Sequence, residues 1–205
     1  EHLVFPIDMD GSPFPGADHP PVPPTTPVFD VFTYLGFLAG QTSRLRLGTH
    51  VYLLGLRHPF VAARAVQTLD IVSGGRAEVG VGAGWLANEC RAAGIDFRSR
   101  GRRLDEALLV CKRLWSEETV AHHGEFFSFD EVCFEPKPIQ KPHPPMWMAC
   151  GQDDTYEIAG DLGLGALCFS AKSPEHIGER VKSYRERIKQ ANPVGAFINE
   201  QVAGF

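Results

Sequence analysis

Three glycines at alternate positions, followed by a tryptophan, make the stretch EVGVGAGWLANE at residues 78–89 the strongest chemical signal in the chain. Backbone without side chains lets a ligand approach closely, and two ligand chemistries exploit that. Gly82-Ala83-Gly84-Trp85-Leu86-Ala87 has the G-x-G-x-x-G/A form of a dinucleotide fingerprint, after an expected strand and before an expected helix. The fingerprint also requires a strand ending in Asp or Glu about 20 residues further on. Here that region is an amphipathic helical pattern containing Asp105 and Glu106. Trp85 would further bring a large side chain into the turn that a pyrophosphate must approach. The other use is the mouth of a β/α barrel, where glycines at strand ends leave room for a flat ligand at the carboxyl-terminal face. A tight turn without a ligand is the third possibility.

Residues suited to metals or nucleophilic chemistry are scattered. Cys90, Cys111, Cys133, Cys150 and Cys168 form no C-x-x-C pair and are odd in number, which indicates neither a disulfide framework nor a zinc site. His122, His123 and His143 lack metal-ligand spacing, so a solvated role is expected. His58, before Pro59 at a helix start, reads as structural. Gly74-Gly75-Arg76 reads as a turn and the basic run RSRGRR at 98–103 as a solvated helix entrance.

Strands and helices alternate along the chain. Residues 28–43 carry apolar residues at helical spacing, and LRLGTHVYL at 45–53 is short, branched and aromatic enough for a strand. A helix follows from Pro59 to the Gly74-Gly75 stop, and AEVGVG is the next strand. GRRLDEALLVCKRLW places Leu104, Ala107, Leu108, Cys111, Leu114 and Trp115 on one stripe. After an irregular excursion at 122–145, PMWMAC and GALCFS read as strands, DDTYEIAGDLG as a short helix, and SPEHIGERVKSYRERIKQ as a helix capped by Ser173. VGAFINEQVAGF would be one more strand. Units of strand plus helix predict parallel β/α architecture in a single domain over 1–205. Residues 11–27, with seven prolines and two glycines, predict a long loop.

Composition narrows the class. The 205 residues are 43% hydrophobic and 22% charged, which is ordinary globular usage, and the net charge of −5 carries no basic block for nucleic acid or an anionic membrane. No apolar run approaches the roughly 20 residues of a spanning helix. A reducing, cytoplasmic setting fits the cysteines. The chain starts at Glu1 without methionine and reads as a piece of something longer.

RLRLGTHVYLLGLRHPFVAARAVQTLDIVSGGRAEVGVGAGW, GIDFRSRGRRLDEAL and FEPKPIQKPHPPMWMACG together resemble the luciferase-like monooxygenase family of flavin and F420-dependent oxidoreductases. The resemblance covers most of the chain. It implies a TIM-type (β/α)8 barrel whose reduced FMN or F420 lies across the carboxyl-terminal strand ends, usually in a homodimer, acting on a small organic substrate. It places Gly82, Gly84 and Trp85 at the barrel mouth and Thr49 against the cofactor ring. Glu1-His2 matches an acid-histidine dipeptide at the end of the second strand, which makes His2 the catalytic candidate, able to give or take a proton near neutral pH. His50 departs from the small residue usual there. CGQDDTYEIAG supplies a helix amino terminus for the cofactor phosphate, with Gly151, Gln152 and Thr155 as donors. Asp153 and Asp154 stand where that phosphate would approach, or one of them caps the helix. The loop at 11–27 is placed to cover substrate.

A complete barrel has eight strands, and five strands plus a stub at Glu1 can be counted, so the expected barrel lacks its first and last strands. Open edges predict self-association or low stability. Two other functions stay open: a noncatalytic flavin-binding scaffold or interaction protein of the same fold, and an NAD(P)-dependent Rossmann dehydrogenase.

Overall fold

The structure is a computed structural model that describes residues 1–13, 22–168 and 172–204. Its order is α1 (Val31–Gln41), β1 (Leu47–Tyr52), α2 (Pro59–Val72), β2 (Ala77–Val81), α3 (Ala87–Ala92), α4 (Arg100–Ser116), β3 (Thr119–His123), β4 (Ser128–Cys133), β5 (Met146–Cys150), α5 (Asp153–Asp161), β6 (Gly165–Cys168), α6 (Pro174–Ile188) and β7 (Val202–Gly204). Short 3-10 turns at Leu54–Leu56, Phe97–Ser99 and Val194–Ala196 complete it.

Five strands pair in parallel in the order β1-β2-β5-β6-β7, which is chain order. A doubly wound sheet reverses its order at a switch point, whereas a barrel adds each strand to the same side of the last. The Rossmann alternative is thereby excluded. The sheet curls: a Cβ built on Gly80 would lie 2.8 Å from Leu167 Cδ1, although β5 runs between their strands. Among the described residues it does not close, and β1 and β7 form its edges. This is the expected partial barrel.

On the convex side, Ala77, Val79 and Val81 of β2 and Met146, Met148 and Cys150 of β5 bury against helices, in one core with Ala62, Ala63 and Val66 of α2 and Leu104, Ala107, Leu108, Cys111 and Leu114 of α4. Each fully buried Leu or Val contributes about 2 kcal/mol. On α6, Tyr184 and Ile188 are buried and Ile177 and Val181 pack partly against the same core.

Several expectations are corrected. Residues 1–13 contain no strand, so the stub at Glu1 is an irregular segment beside the end of β1. The first helix begins at Val31 rather than Val28, because the Asp30 carboxylate accepts from Thr33 N–H at 2.7 Å and caps it there. The excursion begins earlier than 122, as the antiparallel hairpin β3–β4. β7 is three residues long. The expected loop at 11–27 falls partly on 14–21, outside the described residues.

Two polar anchors hold this frame. Arg76, in the expected turn, donates all five of its guanidinium N–H groups: Nε to Ser73 O, Nη1 to Thr42 Oγ1 and Leu45 O, and Nη2 to Ala39 O and Thr42 O, over 2.6–3.1 Å. It satisfies the carboxyl-terminal carbonyls of α1 and α2 together. Glu106 of α4 accepts from Phe126 N–H and Phe127 N–H and meets His122 Nε2 at 3.0 Å, pinning the hairpin tip to the helix. Burial pushes the Glu106 carboxyl up, but His122 and the two N–H groups outweigh it and hold the carboxyl below its ordinary value.

Arg76→Met should cost about 3 kcal/mol in chemical denaturation, because several carbonyls lose their donor, and Arg76→Lys should recover only part, having no planar fork. Because the folded-state value of Glu106 is depressed, its stabilisation is present above about pH 4.5 and is lost as pH falls through the folded-state value. The stability gap between the parent chain and Glu106→Gln, measured by urea unfolding, should therefore be larger at pH 7 than at pH 3.

Candidate active site

The carboxyl-terminal ends of β1, β2 and β5 define the site. Each expected residue reaches it by a different local cause. Gly82 directly follows β2, and its N–H donates to Tyr52 O at 3.1 Å. A Cβ there would press on Val51 Cγ2 at 2.8 Å and lie 3.9 Å from Ala149 Cβ, so the absence of a side chain at Gly82 lets Val51 of the neighbouring strand pack against its backbone. Gly84 has φ of +85°, which favours glycine, and turns the chain into α3. That turn is braced: Arg100 Nε donates to Gly84 O at 3.0 Å while its guanidinium lies 3.8 Å from the Phe97 ring centroid. The RSRGRR run is thus partly structural rather than a solvated entrance, since Arg103 likewise donates to Gly55 O at 2.7 Å.

Thr49 is 4% exposed and its hydroxyl donates to Gly80 O at 2.7 Å. Its register partner is Val79, a core residue, so the Thr49 side chain shares the convex side. Its backbone, rather than its hydroxyl, faces the interior: a Cβ on Gly80 would meet Thr49 O. The His50 side chain is exposed, the His50–Val51 peptide is cis, and the pairing with β2 shifts register between Thr49 and Tyr52.

His2 is held in place. Its Nδ1 lies 2.7 Å from Glu89 Oε2, and its ring meets Trp85 edge-on at 5.6 Å and Phe5 at 4.7 Å. Glu89, on α3, is 1% exposed and its Oε1 accepts from Leu3 N–H at 2.5 Å and Val4 N–H at 3.3 Å. The neighbouring Glu1 carboxylate accepts from Arg57 at 2.5 Å, and Arg57 lies 4.3 Å over the Tyr52 ring and donates to Leu53 O. Burial raises the Glu1 carboxyl above its ordinary value against the pull of Arg57. Reading the sequence missed Glu89 and Arg57. The one signal was a charged residue, Glu89, in an otherwise apolar and small stretch before Cys90.

Gly151, Gln152 and Thr155 gather at the start of α5, which follows β5. Gln152, and neither Asp153 nor Asp154, is the N-cap. Thr155 Oγ1 accepts from Gln152 N–H at 3.3 Å and donates to Gln152 O at 2.6 Å. Asp153 is turned to Lys172 Nζ at 2.7 Å and His176 Nε2 at 2.8 Å, and hydrogen bonds to these two side chains hold its carboxyl down to about 2. Its negative charge is compensated in place by the next βα unit.

The remaining histidines lie elsewhere. His58 caps α2, its Nδ1 accepting from Phe60 N–H at 3.2 Å. His122 serves Glu106 and His123 meets Ser128 Oγ at 3.0 Å. His143, expected in solvent, is 2% exposed, Nδ1 bonded to Pro144 O at 2.8 Å; burial, then Lys112, pushes it down to about 4. Among the described residues no His, Cys, Asp and Glu cluster could hold a metal ion, the five cysteines are unpaired, and no helix is long and apolar enough to cross a membrane.

A barrel arc with its polar groups at the carboxyl-terminal rim invites comparison with known proteins. Residues 14–197 match the model of the luciferase-like monooxygenase family. The chain is 33% identical over 150 residues to the oxygenase component of a flavin-dependent trigonelline monooxygenase of Acinetobacter baylyi, covering 72% of this chain and 40% of that protein. It is 37% identical over 150 residues to an F420-dependent glucose-6-phosphate dehydrogenase of Kineococcus radiotolerans, covering 71% and 44%. The crystal structure of a monooxygenase from Streptomyces bottropensis superposes with a TM-score of 0.73 at 32% identity, over 79% of this chain and 50% of that one. The chain thus spans less than half the length of these two curated relatives. With a family model matched over most of its length and a curated relative more than 30% identical over more than two thirds of it, the chain belongs to the luciferase-like monooxygenase family.

Proposed function

We propose that this chain is the ring-binding arc of an oxidoreductase that holds reduced F420 or FMN across the ends of β1, β2 and β5 and acts on a small organic substrate. The observation that carries this reading is the coincidence of two features at one rim: a strand end without a side chain at Gly82, next to Ala149, and a histidine fixed by Trp85 and a buried carboxylate. The residues present fit a flat ring, because Gly82 and Ala149 carry at most a methyl at their strand ends and Arg100 braces the Gly84 turn through its carbonyl. When bound, the cofactor supplies hydride or activates oxygen. The protein's part is to orient the ring against strand backbone, exclude water and move one proton, with His2 handling it. Gly151, Gln152 and Thr155 hold the phosphate at the start of α5, an assignment supported by the dipole of that helix and by the compensation of Asp153 by Lys172 and His176. The kinship with flavin-dependent and F420-dependent enzymes supports both cofactors equally. Unpaired cysteines support a reducing cytoplasm.

A second reading is a scaffold of the same fold that binds the ring without turnover. Fluorescence titration with F420 and FMN, oxidised and reduced, separates the two. Saturable binding with substrate-dependent oxidation that drops by about 100-fold or more in His2→Ala supports the enzyme. Binding without oxidation supports the scaffold, and absence of binding to both cofactors overturns the two together.

The same reading includes a homodimer. Phe29, Tyr34, Phe37, Val61 and Val72 are 55–73% exposed on and beside α1 and α2, flanking a cleft completed by Val132 of β4 and by Phe134 just after it. An apolar surface of this kind marks an interaction site. Sedimentation should show a dimer that Phe37→Asp together with Val61→Asp converts to monomer; a parent chain that stays monomeric at every concentration would rule it out.

A further inference from the structure

Glu89 is the most buried carboxylate near the candidate site, at 1% exposure. Two backbone N–H groups, from Leu3 and Val4, converge on its Oε1, while its Oε2 is left to His2 Nδ1 at 2.7 Å. A carboxylate only accepts. At this distance an unprotonated Nδ1 would set two lone pairs against each other, so the proton belongs on Nδ1 and the ring's other nitrogen, Nε2, is left as the acceptor. The plane of the ring is fixed independently by Trp85, edge-on at 5.6 Å, and by Phe5 at 4.7 Å.

We propose that Glu89 is a positioning residue: it holds His2 in the tautomer protonated at Nδ1 and so reserves Nε2 for the proton exchanged with cofactor or substrate. The proposal rests on the reading of His2 given above. It differs from a purely structural role, in which Glu89 would tie down the backbone at Leu3 and Val4 whatever the state of the ring. A neutral imidazole in water exchanges freely between tautomers; a buried acceptor on one nitrogen removes that freedom, and a proton acceptor is then always presented from the same atom.

The test needs no cofactor, so its outcome stands apart from that of the binding titration. The full chain, labelled with 15N-histidine, is examined by long-range 15N–1H correlation above the pH at which the ring loses its second proton, with the His2 signals assigned from His2→Ala. In the parent chain His2 should carry its proton on Nδ1. In Glu89→Gln, whose amide keeps the shape and can either donate or accept, roughly half or more of the His2 rings should shift to the form protonated at Nε2. A parent ring protonated at Nε2 overturns the proposal, as does a tautomer population unchanged in a folded Glu89→Gln. Should that variant not fold, the parent spectrum decides by itself.

Discussion

The backbone of β2 can be approached from across the sheet because Gly80 and Gly82 carry no side chain, and the curvature of the whole arc depends on it. Leu167, two strands away, reaches the space that a Cβ on Gly80 would fill, and Thr49 O fills the rest. Val51 does the same at Gly82. Close packing inside a curling sheet is unforgiving, since a filled position can only be kept by pushing strands apart. Were β2 flatter, the ends of β1, β2 and β5 would diverge, and the rim that gathers Gly82, Trp85 and His2 would open. The alternating glycines are thus first a condition of the fold and only then an opportunity for a ligand.

Charge does its structural work mainly through arginine. Arg57, Arg76, Arg100 and Arg103 each donate to main-chain carbonyls of turns that leave strands or helices, and three of them also lie over aromatic rings. A guanidinium suits this task because its donors form a rigid planar fork and its faces pack on apolar surface. The loops of the site are therefore fixed in part by bonds to their backbone.

What could be read in the residues, and what could not, divides by the range of the interaction. The helix from Pro59, the stripe of α4 and the cap at Ser173 follow from neighbours within a few positions, and their identities are local. The hairpin was indistinct because its strands are mostly exposed on both faces, which erases the alternation a half-buried strand shows. His143 looked like a surface residue because nothing near it in the chain shows that Trp115 and Phe197 enclose it. At the site, the glycines and His2 were recognisable from a familial pattern, whereas Glu89 owes its role to a partner 87 positions away. The partners of Asp153 were likewise out of reach, since Lys172 and His176 meet it from the next βα unit while Gln152 takes the cap.

The insertion of β3 and β4 between two sheet strands has a consequence for how the chain can vary. Val79 of β2 pairs with Pro145 and Met146, so everything from α3 through the hairpin forms one closed loop between adjacent strands. The entropy of closing a loop grows only with the logarithm of its length, by about 0.6 kcal/mol for each doubling. Lengthening this loop by a hairpin therefore raises the closure cost little, and Glu106 and Arg64 tie the added piece back to helices already in place. Relatives could gain, lose or reshape this segment with small effect on the assembly of the sheet, which makes it the natural place for diversity beside a rim that must stay constant.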